Sequence, residues 1–137
     1  MIKQSIKYTN FDGKDAVLDA WFNLTEAELM EMELSETGGL AEKIQQIVDA
    51  KDQPSIIKVF QEIILKAYGE RSEDGVYFYK EDENGRPLSQ KFKQTAAYSA
   101  LFMELALDAD KAAKFVNGIC PQEKVKNVAK AKAAAKK

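Results

Sequence analysis

The chain contains no histidine. The side chain that most often serves as general base, nucleophile activator and zinc ligand near neutral pH is therefore missing, and catalytic triads and most zinc sites go with it. Cysteine is nearly absent too: Cys120 stands alone and has no partner for an internal disulfide, so nothing favours an oxidising compartment. Thiolate activation needs a cationic or helix N-terminal setting, which Ile119 and Pro121 do not supply, so Cys120 reads as a buried or incidental thiol. Long apolar runs are lacking, since no stretch approaches the ~20 residues of a membrane span. Met1-Ile2-Lys3-Gln4-Ser5-Ile6-Lys7 is too polar for a signal-peptide core. The expectation is a cytoplasmic protein with no membrane contact, and no cofactor is implied.

Signature motifs are missing as well. Gly38-Gly39 has neither the lysine of a phosphate-binding loop nor the spacing of a dinucleotide fold, and reads as a helix break. Asp82-Glu83-Asn84-Gly85 has the outline of a calcium loop, but aligning Gly85 puts Lys80 at the first ligand position and Lys91 at the last. A turn is the better reading. Carboxylates are plentiful, yet Glu26, Glu28, Glu31 and Glu33 look like the solvated face of a helix, with no burial signal to raise a pKa. The chain is not expected to be an enzyme.

What is present suits a folded core, with 45% hydrophobic and 31% charged residues in a length compatible with one domain. The net charge of −2 conceals an asymmetry: residues 121–137 hold six lysines and one glutamate, so that segment carries +5 and residues 1–120 carry −7. An acidic body is a poor match for a nucleic-acid-binding domain, which would place Lys and Arg on a folded face. Tyr77, Phe78 and Tyr79 with Lys80 resemble a base-stacking platform only superficially, because their surroundings are acidic.

Ile2, Ile6 and Tyr8, followed by Asn10-Phe11-Asp12-Gly13 and the apolar run Ala16 to Phe22, read as a β-hairpin within residues 1–24, Asp12-Gly13 supplying the turn. Thr25 and Glu28 then form a capping box, with Leu24 and Leu29 placed for a hydrophobic staple, so a helix begins at Thr25. A second helix spans Leu40 to about Lys51 after Thr37-Gly38-Gly39. Asp52-Gln53-Pro54 starts a third, whose wide apolar face of Ile56, Ile57, Phe60, Ile63, Ile64, Ala67 and Tyr68 predicts the centre of the core, with Gly69 as its left-handed C-terminal residue. Residues 70–90 read as turns around a short aromatic strand or packed loop. One helix is expected from Ser89 through Ala106, and Asp108 caps another that ends between Gly118 and Pro121.

The fold class is thus mainly α (α+β): an N-terminal β-hairpin, a bundle of about five helices in a single domain over 1–121, and a flexible Lys/Ala-rich tail over 122–137. Three roles stay open for the tail: a solvated end, a contact for an acidic protein surface, or nucleic-acid contact.

Several segments together resemble a known family, the tail assembly chaperones of bacteriophages with long non-contractile tails and of related prophages. They are Phe22-Asn23-Leu24-Thr25-Glu26-Ala27-Glu28-Leu29, Gly38-Gly39-Leu40, Ile64 to Glu70 with Ser72-Glu73-Asp74-Gly75, Thr95 to Leu105, and Phe115-Val116-Asn117-Gly118-Ile119, in that order over residues 1–121. The resemblance implies a small, mostly helical, non-enzymatic protein. It would bind the long tape measure protein and keep it soluble while tail tube subunits polymerise, then leave before the virion is finished. It also implies a second, frameshifted product in many members, and Lys136-Lys137 is compatible with a slippery stretch. The tail tube protein is a further implied partner, and repeated copies along one long partner imply self-association, for which the hairpin's edge is available. Candidate partner-binding residues are Leu29, Met30 and Met32, whose thioethers adapt to varied surfaces, and the tail lysines Lys124, Lys126, Lys130 and Lys132. The alternative is a structural virion protein, such as a tail completion or tube-associated component.

Overall fold

In the computed structural model, residues 1–35 and 53–120 are described. Strands β1 (Ile2–Thr9) and β2 (Asp15–Phe22) run antiparallel, from Ile2 opposite Phe22 to Thr9 opposite Asp15. The turn between them closes when Gly13 N–H donates to the Asn10 carbonyl at 3.0 Å. The Asn10 side-chain oxygen also accepts from the amides of Asp12 and Lys14. Gly13 has φ +78°, a left-handed conformation that glycine adopts without a Cβ penalty. Along both strands Ile6, Ala20 and Phe22 turn into the core while Lys3, Ser5, Lys7, Val17 and Asp19 face outward, the period of two that a half-buried sheet requires.

The sheet is larger than a hairpin. Strand β3 (Tyr68–Arg71) adds to β2, pairing Gly69 with Trp21 and Tyr68 with Phe22, and β4 (Phe78–Tyr79) adds to β3. The order is β1-β2-β3-β4, all neighbours antiparallel, with β1 at one edge. A two-stranded ribbon is marginal in water, and these short strands supply part of the missing support.

Helix α1 (Glu26–Ser35) follows the hairpin, and α2 (Gln53–Ala67) leads into β3. Tyr68 and Gly69 are therefore strand residues, a correction to their expected places on the helix's apolar face and at its left-handed end. No such end is needed, because tertiary partners satisfy the last carbonyls of α2: Asn23 N–H donates to Ala67 O at 2.8 Å, and the Lys80 ammonium donates to Lys66 O. What Gly69 provides is closeness. A Cβ there would stand 2.6 Å from the backbone oxygen of Tyr79 and 2.7 Å from the Phe78 ring.

The expected helix from Ser89 to Ala106 is two helices, α3 (Ser89–Lys93) and α4 (Ala96–Ala106). Thr95 divides them: its extended backbone stops propagation, its hydroxyl donates to Phe92 O at 2.7 Å, and the same oxygen accepts from Tyr98 N–H at 3.1 Å. Asp108 caps α5 (Ala109–Ile119) as expected, accepting from the amides of Asp110 and Lys111. The expected break at Thr37-Gly38-Gly39, the helix from Leu40 to Lys51, the Asp52 cap and the Lys/Ala-rich tail lie outside the described residues.

The architecture is mixed α+β, and its buried side chains form one continuous cluster between the sheet and the helices. Phe22 stands at the centre with no exposed surface, its ring meeting those of Tyr68, Phe92 and Phe115 edge-on at centroid distances of 5.9, 5.9 and 5.1 Å. Tyr68 and Phe92 stack nearly parallel at 4.2 Å. Phe60, Ile63, Ile64 and Ala67 of α2 are all buried in this cluster, in agreement with the apolar face read from the sequence.

Candidate protein-binding surface

Helix α1 starts as its sequence dictates. Glu28 N–H donates to the Thr25 hydroxyl at 3.2 Å, and Thr25 N–H donates to the Glu28 carboxylate at 3.0 Å, closing both halves of the capping box. Of the partner-binding candidates on this helix, Leu29 and Met32 are buried at 1% and 6% exposure, Met30 is half-buried, and the neighbouring Leu34 is 62% exposed. Burial gives Leu29 and Met32 a packing task on the inner side of α1. The four glutamates do not share one solvated face: Glu26 and Glu31 are exposed, Glu28 is half-buried and Glu33 is buried. The lysine candidates Lys124, Lys126, Lys130 and Lys132 lie outside the described residues.

Beside α1 lies an open groove of about 550 Å³, between that helix, the end of α2 and the segment from Lys80 to Ser89. Leu24, Met32, Leu65, Tyr68 and Pro87 supply its apolar lining, and Glu31, Lys66 and Glu81 line it with charge. Lys80 crosses its floor in a partly buried position. Its ammonium lies 3.0 Å from Glu28 Oε2 and donates to Asn23 O at 2.9 Å. Burial holds the Lys80 pKa below the usual lysine value, against the opposing pull of the Glu28 carboxylate. A cation placed at the C-terminal carbonyls of α2 is favourable against the helix dipole. Lys80 therefore ties four segments together: the strand β2 exit, α1, the α2 terminus and β4. Sequence reading missed this role, and the only local signal was a lone lysine ending an aromatic strand.

Asp82-Glu83-Asn84-Gly85 forms a second hairpin turn, in line with its reading as a turn. Asp82 N–H donates to Arg86 O at 2.9 Å, Gly85 N–H to Asp82 O at 3.0 Å, and Asp82 Oδ1 accepts from the amides of Asn84 and Arg86. This repeats the Asn10-to-Lys14 turn bond for bond, with Gly85 again left-handed at φ +77°. The Asp82 oxygen is thereby committed to backbone amides. No group of three or more metal-ligating side chains occurs among the described residues. Cys120 is fully buried at the end of α5, far from the setting a reactive thiolate requires. Tyr77 and Tyr79 stack on each other at 5.6 Å and are largely exposed beside Val76. Among the described residues no helix is long and apolar enough to cross a membrane.

The groove combines apolar recesses with a charged rim. The whole chain, residues 1–137, matches the profile of a family described as phage tail assembly chaperone. No curated protein and no solved structure matches.

Proposed function

The chain belongs to the phage tail assembly chaperone family, and on that premise we propose that it is a non-enzymatic holdase for the tape measure protein, acting in the host cytoplasm during tail assembly. The match over residues 1–137 is the observation that carries the proposal. In this reading the protein shields apolar helical segments of the tape measure protein until tail tube subunits enclose them, and is released before the virion is complete. The groove beside α1 and the half-buried Met30 provide adaptable apolar surface for such a client, since thioether side chains tolerate varied partners. Lys124, Lys126, Lys130 and Lys132 add a salt-sensitive contact with acidic protein surface.

Coexpression with the tape measure protein of the same gene cluster tests the proposal. Increased solubility of that protein and its co-purification with the chain are expected; the absence of both would overturn the reading. Mass spectrometry of purified particles gives a second check. A stoichiometric amount of the chain in finished virions would point instead to a structural tail component.

A further inference from the structure

We draw no further inference here: the strongest candidate, the groove beside β4 lined by Glu70, Tyr79, Glu81, Asp82, Glu83 and Leu88, carries nothing, because a cluster of carboxylates does not by itself define a ligand and nothing among the described residues shows what covers it.

Discussion

The Lys80 ammonium and the Glu28 carboxylate meet at 3.0 Å, and neither group serves that contact alone. Glu28 closes the capping box of α1 with its other oxygen, while Lys80 donates to the carbonyls of Asn23 and Lys66. Helix start, helix end and strand end are thus fastened at one point.

Replacing Lys80 by Met keeps the stem's packing but orphans those two carbonyls and the Glu28 charge. The expected loss of stability is about 1–3 kcal/mol, read by chemical denaturation. Lys3→Met should cost less than ~1 kcal/mol, because the Lys3–Asp19 pair spans 3.7 Å with both side chains about half exposed. Equal losses in the two variants would show that Lys80 has no fastening role.

The alkaline limb of stability should be set by opposing groups. Burial raises the pKa of Tyr68, helped by the nearby Glu70 charge, and burial raises that of Tyr98, so both lie above the ordinary value of 10.0. The native state keeps these protons where the unfolded chain has released them. Their contribution is intact below pH 10.0 and is lost as pH rises through the native values. Lys80 acts in the other direction: with its native pKa below 10.5, the unfolded chain binds more protons in that interval, and stability gains as pH rises through it. Melting temperatures followed to about pH 11 should fall less steeply in Tyr98→Phe than in the wild type. In the Lys80→Met variant the fall should be steeper.

Tyr98→Phe carries a further expectation at neutral pH. Among the described residues the Tyr98 hydroxyl is buried without a hydrogen-bond partner of good geometry, and Gln61 only offsets part of the burial effect. Deleting an unsatisfied buried hydroxyl should leave stability unchanged or raise it by up to ~1 kcal/mol. A loss above that in a thermal melt would mean the hydroxyl has a partner after all.

Two glycines separate two physical causes. Gly69→Ala drives a Cβ to 2.6 Å from the Tyr79 backbone oxygen, which cannot move without unpairing β3 and β4, so a loss of about 1–3 kcal/mol is expected. Gly13→Ala meets open space and costs only the strain of φ +78°, about 1 kcal/mol. Comparing the two melts decides whether close approach outweighs backbone strain here.

Thr95→Ala should remove the cap of α4 at a cost of about 1 kcal/mol. Thr95→Ser, which keeps the hydroxyl, should recover most of it. If both variants melt alike, the α3–α4 break is held by packing and not by the hydroxyl.

The local signals in the chain proved legible wherever a boundary is made by residues close in sequence. Thr25 with Glu28, Asp108 with its following amides, and Asn10 through Gly13 each carry their own hydrogen-bond partners within a few positions, so composition and spacing sufficed. The buried face of α2 was legible for the same reason, its period being a property of the helix itself. Thr95 was locally readable too, but the unbroken apolar pattern from Phe92 to Leu105 concealed it. Gly69 misled because its neighbours look like a helix end, whereas its actual neighbour is the Tyr79 carbonyl, ten residues away. Of the candidate binding residues, sequence placed Leu29 and Met32 on α1 but could not tell that both would be covered.

By itself the sequence determined the missing histidine chemistry, the single thiol, the hairpin, most helix starts and the membership that the family profile supports. Those are matters of residue type and short-range geometry. Only the tertiary structure decided that β3 and β4 extend the sheet and that Lys80 closes the end of α2. Each of these depends on which distant segment arrives beside a given residue, as when Asn23, Lys66 and Lys80 converge from three elements. Long-range packing chooses those neighbours, and local periodicity does not specify them.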